Sequence, residues 1–174
     1  VASKVEFDLN ALPEDVEVKL SNSVVPEPEV STAFQFAASA AGMGNIDIAY
    51  LLGVTKTNLE NATDISSAVI TMKVGVGWVL AHGGVYGIRM VRYEAETNEK
   101  QILETSFAGY DEEGRVIFMG VSPKGLSVFG LVGTAVDSAT LNIPSDDTDK
   151  DPYSFSIKGT GAAPEMVVEG NLVE

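Results

Sequence analysis

The most constraining feature of this sequence is its rhythm: short runs of alternating apolar and polar residues, separated by turn formers roughly every eight to twelve positions. A period of two sends successive side chains to opposite faces of a strand, so each run can bury one face and wet the other. Lys4-Val-Glu-Phe-Asp-Leu9 and Val16-Glu-Val-Lys-Leu20 alternate in this way, with Ala11-Leu-Pro-Glu-Asp15 as the turn between them. Val24-Val-Pro-Glu-Pro-Glu29 reads as a connector, because each proline withdraws a donor from any ladder. Further strands are predicted at 31–39, 46–52, 67–74, 87–94, 100–107, 115–120 and 126–132. Gly109 to Gly114 supplies the Asp and Gly of a tight turn, so the runs on either side of it should pair antiparallel. Helical periodicity is almost absent. The predicted helix is the short Gly77-Trp-Val-Leu-Ala-His-Gly-Gly84, closed by glycines that suit a left-handed cap. Ala33 to Met43 is alanine-rich, but Phe34 and Phe36 alternate and the reading stays with a strand. The fold expected is all-β: an antiparallel β-sandwich of Greek-key or Ig-like type, with one short helix and a C-terminal hairpin.

With 174 residues and 45% hydrophobic side chains, the chain can build its own core, and two large domains are ruled out. Eleven Lys and Arg against twenty-five Asp and Glu leave a net charge of -14, which repels a phosphate backbone and removes nucleic acid as a partner. No apolar run reaches the roughly 18 residues of a membrane-spanning helix. Cysteine is absent, so neither a disulfide framework nor a thiolate metal site can form. The first residues, Val1-Ala2-Ser3, read as those of a mature chain after removal of a signal peptide.

Candidate chemistry is sparse. His82 is the sole histidine, and its position before Gly83-Gly84 suits a bond to the last helical carbonyls better than a triad. Asp147, Asp149 and Asp151 have the i, i+2, i+4 spacing that begins a calcium loop. Pro152 stands where that loop needs Gly and Lys158 where it needs Glu, so an exposed turn and a weak calcium site both stay open. Gly42-Met-Gly44 begins like a dinucleotide fingerprint, but Asp47 occupies the third glycine position and would oppose a pyrophosphate. Asn61-Ala-Thr63 is a glycosylation sequon in a polar turn before a strand. Trp78, Phe107, Phe118 and Phe129 are read as core anchors. No catalytic residue and no cofactor other than the calcium are assigned, and no enzymatic activity is expected.

Several separate segments agree in order and spacing with one family: Asn58 to Val74, Trp78, Gly83-Gly84, Ile88-Arg-Met-Val-Arg-Tyr93, Leu103-Glu-Thr105, Gly109-Tyr-Asp111 and Gly125-Leu-Ser-Val-Phe129. They resemble the PGF-pre-PGF domain of archaeal, chiefly methanogen, surface proteins. The resemblance implies an exported β-rich module placed upstream of a cell-surface anchor, which makes residues 1–133 one domain. Residues 134–174 carry neither the Thr-rich stalk nor the Pro-Gly-Phe anchor usual in that family. Their run from Ala139 to Gly161 is similar to the closing hairpin of a choice-of-anchor or Hydin-type Ig-like module. An isolated hairpin is marginal in water, so it should pack on the first domain or on a neighbouring subunit. The expected function is a non-enzymatic structural subunit of an archaeal extracellular sheath, surface layer or filament, self-assembled as a homopolymer through β-strand edges. An extracellular adhesive or carbohydrate-binding module is the alternative.

Overall fold

The structure, a computed structural model, describes residues 2–10, 13–135, 154–159 and 165–171. In chain order the elements are β1 (Ala2–Leu9), β2 (Val16–Ser23), α1 (Pro28–Ala40), β3 (Ile46–Thr57), β4 (Ile65–Val74), α2 (Val76–Ala81), β5 (Arg89–Glu94), β6 (Glu99–Tyr110), β7 (Val116–Ser122), β8 (Val128–Thr134), β9 (Ser154–Gly159) and β10 (Glu165–Asn171). The strands form one antiparallel sheet in the order β10-β1-β4-β7-β6-β5-β8-β3-β2-β9. Among the described residues no helix is long and apolar enough to cross a membrane.

The fold is all-β, as the alternation predicts. Strand β6 bends the sheet: residues 99–103 pair with β5, and from residue 104 onward it pairs with β7 on its other side. A strand that changes partner along its length makes a corner, and the two halves of the sheet fold face to face. Within the order, β4-β7-β6-β5 is a Greek key, with β4 returning to lie beside β7. Ser3 Oγ donates to Asn22 Oδ1 at 2.9 Å, tying β1 to β2 where the two halves meet again. Since β10 also lies against β2 and β9, the sheet is rolled nearly into a barrel.

Two cores follow. The interior holds Phe7, Leu52, Ile70, Met90, Phe118 and Phe129 from six strands, all buried. Of the predicted anchors, Phe118 and Phe129 lie fully inside, and Trp78 and Phe107 pack against the cluster half-buried. The second core lies on the outer face, where α1 covers Leu51, Val91, Tyr93 and Val132 with Ala33, Phe34 and Ala37. Strands β5 and β8 are therefore buried on both faces, which explains why β8 reads as a nearly continuous apolar run.

Helix α1 overturns the strand predicted at 31–39 and makes two helices among the described residues where one was expected. Pro28 occupies the start of the helix, where its missing N–H and fixed φ are favourable, and Glu29 sits in the first turn. Residues two apart are about 200° apart around a helix, so Phe34 points into the outer core while Phe36 is 62% exposed. Ala33, Phe34, Ala37 and Ala38 are the buried stripe. Helix α2 falls where predicted, and Gly83 and Gly84 follow it with φ of 97° and 79°.

The turn joining β6 and β7 also forms as predicted, with Gly109 and Gly114 at positive φ. Asp111 organises it. Its carboxylate accepts from the backbone N–H of Glu113 at 3.0 Å and of Arg115 at 2.8 Å, and from Arg115 Nε at 2.7 Å. Of the hairpin expected within 139–161, only 154–159 lies among the described residues, as β9. Strand β9 pairs with β2 and β10 with β1, at opposite ends of the order. Strands from 134–174 thus extend the sheet built by 1–133.

Candidate functional site

Alternation along β3 and β5 aims charged side chains into the interior at one end of the barrel. On β3 the inward phase runs Leu52, Val54, Lys56, and on β5 it runs Met90, Arg92, Glu94. Apolar residues fill the middle of each strand, so the cations arrive at the mouth. There a cavity of about 800 Å³ opens between the end of β3, the loop before β4, the β5–β6 turn and the 122–127 turn.

Arg92 forms its floor and is 2% exposed. Its Nη2 donates to Glu94 Oε2 at 3.1 Å and to the Lys124 carbonyl at 3.2 Å. Its Nε and Nη1 are buried with no acceptor among the described residues. Burial pushes the guanidinium pKa down, against the opposing pull of Glu94 and then Glu99. Lys56 stands beside it and donates to the Leu126 carbonyl at 3.2 Å. Burial lowers its pKa too, with Glu94 and, less strongly, Glu96 raising it and Arg92 adding to the depression. At the rim Lys124 is paired with Glu99 at 2.8 Å, and that hydrogen bond holds the Glu99 carboxyl below its ordinary value. Three of the chain's eleven Lys and Arg line this cavity, in a protein of net charge -14.

Asn61, the sequon residue, lies at the edge of the same cavity as a clamp. Its Nδ2 donates to the Leu126 carbonyl at 2.8 Å, and its Oδ1 accepts from the Leu126 N–H at 2.9 Å. A second contact runs from Nδ2 to Glu94 Oε2 at 3.4 Å. Gly125, at φ 85°, permits this approach, because a Cβ there would collide with Asn61 Oδ1. A glycan on Nδ2 would replace one of the two hydrogens in use. Asn61→Ala is expected to lower stability by about 1–3 kcal/mol through the unmade bonds at Leu126. Thr63→Ala removes the sequon and leaves the clamp, and is expected to change stability by less than about 0.5 kcal/mol. Chemical denaturation of both variants from the native host checks this. Equal losses would show that the sugar, not the clamp, matters.

At the opposite end of the barrel His82 is buried beneath Trp78, the rings stacked at 4.0 Å. Its Nδ1 is 2.7 Å from the Trp78 carbonyl and its Nε2 3.0 Å from Asp47 Oδ2. The imidazole thus bonds a helical carbonyl as the sequence predicts, and also ties α2 to the start of β3. Neither of these two bonds is to a serine or threonine hydroxyl. Asp147, Asp149 and Asp151 lie outside the described residues. Among the described residues no group of three or more acidic or histidine side chains could hold a metal ion.

Sequence reasoning found Asn61 and His82 but missed Arg92 and Lys56. A signal was present: in Ile88-Arg-Met-Val-Arg-Tyr93, Arg92 falls in phase with Ile88 and Met90, both fully or nearly fully buried. Comparison of the chain with models of protein families, with curated proteins and with solved structures finds no match in any of the three.

Proposed function

We propose that this chain is a non-enzymatic structural subunit of an extracellular cell-surface assembly, of the archaeal sheath, surface-layer or filament kind, that polymerises by β-strand addition. One observation carries the reading: the two outermost strands, β9 and β10, both come from the C-terminal segment and cover the edges of the body at β2 and β1. Those edges offer unpaired N–H and C=O groups to whichever chain supplies the strand. The same registers, Val18 opposite Ile157 and Val5 opposite Val168, serve equally well within a chain or between chains. Residues 135–153, between β8 and β9, can span on the order of 60 Å when extended, enough to reach a neighbouring subunit. Exchange of strands in a head-to-tail contact that does not close gives an open polymer. Main-chain pairing is indifferent to charge sign, so a chain at -14 can assemble, more readily as salt screens its self-repulsion.

The expected result is that the full chain forms ordered polymers in negative stain, whereas a chain lacking residues 140–174 stays folded and does not. A peptide of residues 150–174 added in trans should bind the truncated chain with slow release. Ordered polymers from the truncated chain would instead favour face-to-face packing of barrels. The alternative, an adhesive or carbohydrate-binding module, draws support from the exposure of Phe36, Tyr86 and Tyr110. They sit on α1, the loop after α2 and the end of β6, three different elements.

A further inference from the structure

The cavity at the barrel mouth leaves charges of both signs unmatched, at different depths. Inside, Arg92 Nε and Nη1 lack acceptors, and Lys56 has a carbonyl but no ion pair among the described residues. At the surface, Glu60 and Glu96 line the same cavity, exposed and without an ion pair among the described residues. The other charges there are spoken for: Glu94 binds Arg92 and Glu99 binds Lys124. A buried guanidinium with two unused nitrogens is rare in a folded protein unless something else supplies the acceptors.

We propose that this cavity binds a small zwitterion of amino-acid to dipeptide size, its carboxylate inward on Arg92 and Lys56 and its ammonium outward at Glu60 and Glu96. The carboxylate accepts from the Lys56 ammonium and from one of the two unused guanidinium nitrogens, which point to different edges of the planar group, a charge-assisted pairing that a hydroxyl matches less well. A simple anion would meet the repulsion of a chain at -14 and of two rim carboxylates; a simple cation would meet an unmatched positive floor. A zwitterion avoids both penalties and answers each end of the cavity. The volume, about 800 Å³, suits a ligand of this size with accompanying water. Depressed basicity of Lys56 and Arg92 by burial is consistent with a floor that gains from an incoming carboxylate. This site is independent of the strand edges, so it stands or falls apart from the polymerisation reading.

Three matched probes test it on the full chain: glycylglycine, its N-acetyl derivative without the ammonium, and glycinamide-capped glycylglycine without the carboxylate. Nitrogen-detected NMR follows the Arg92 Nε–H and the amides of 58–62 and 94–97. Glycylglycine is expected to shift these signals saturably, with each truncated probe binding at least about tenfold more weakly, the effect of one lost charge-assisted contact. Arg92→Met is expected to abolish the shifts; because it leaves the Glu94 carboxylate without its partner, it is paired with the double variant Arg92→Met, Glu94→Gln, which removes both charges and should also abolish the shifts while the melting temperature holds. The exposed double variant Glu60→Gln, Glu96→Gln cannot disturb the core and is expected to weaken glycylglycine but not its acetylated form. Absence of saturation at tens of millimolar, equal binding by the acetylated probe, or binding that survives Arg92→Met would each overturn the proposal.

Discussion

Phe34→Ala is expected to lower the stability of the protein by about 3–5 kcal/mol, a large share of the roughly 5–15 kcal/mol that holds a typical domain together. Phe34 is fully buried in the outer core, between α1 and the strands beneath it. Its ring lies over Gly130 so closely that a Cβ on that glycine would collide with Phe34 Cε2 and press on Leu51 Cδ2 at 3.0 Å. Removing the ring therefore empties a space that neighbouring β8 cannot collapse to fill, since the strand is held by ladders on both sides. The melting temperature should drop by about 10–20 °C for a chain of this length. Gly130→Ala alone should also destabilise. Combined with Phe34→Ala it should cost less than the two separate losses added, because the new methyl occupies part of the cavity. Phe36→Ala is the control: with its ring 62% exposed, beside Lys100 Nζ at 4.8 Å, it should change stability by less than about 0.5 kcal/mol. A strand at this position would place Phe34 and Phe36 on one face and make the two substitutions equivalent. Equal losses in thermal or urea denaturation would therefore contradict the helix.

The all-β class, the β6–β7 turn and helix α2 are legible in the sequence because each rests on a local rule: period-two alternation, turn residues with positive φ, and paired glycines after a short apolar helix. Helix α1 is not legible from the aromatic pair, since Phe34 and Phe36 satisfy a two-residue period by accident, only one of them being buried. The competing signals, Pro28 at the helix start and four small or apolar residues at helical spacing, point the other way. The order of strands is beyond local reading altogether. That β9 and β10 lie at opposite ends of the sheet depends on pairings with β2 and β1, more than a hundred positions earlier in the chain. The candidate site is half legible. Asn61 stands out for its sequon, yet its geometry makes it a clamp on Leu126. Arg92 and Lys56 look like ordinary strand charges until the inward phase of β5 and β3 is known.

Asp111→Ala is expected to cost about 3 kcal/mol, the lower end of the range for removing one partner of a buried charged pair, because Arg115 keeps some access to water. The Asp111 side chain is 9% exposed and that of Arg115 20%. The aspartate closes the β6–β7 turn with two backbone bonds and one charged side-chain bond, and Lys73 approaches it from β4 at 3.6 Å. One side chain thus joins β4, β6 and β7. Burial alone would raise its pKa. The Arg115 amide and guanidinium, with the Glu113 amide, outweigh that and hold the carboxyl below its ordinary value of about 3.8. A folded-state pKa depressed in this way means that the unfolded chain binds the proton more readily, so stability rises with pH across the interval between the two values. The contribution is complete above the ordinary carboxylate value and is lost as pH falls through the lower, folded one. Asp111→Asn keeps the shape and one acceptor but never carries the charge. Its deficit relative to the natural chain should be constant above about pH 5 and should shrink as pH falls below the ordinary carboxylate value, where the unfolded natural chain takes up its proton before the folded one. Urea denaturation at a series of pH values measures the deficit directly. A deficit undiminished at pH 2 would assign the turn's stability to the geometry of the acceptors, and one that vanishes would assign it to the carboxylate charge shared among Arg115, Lys73 and the two amides.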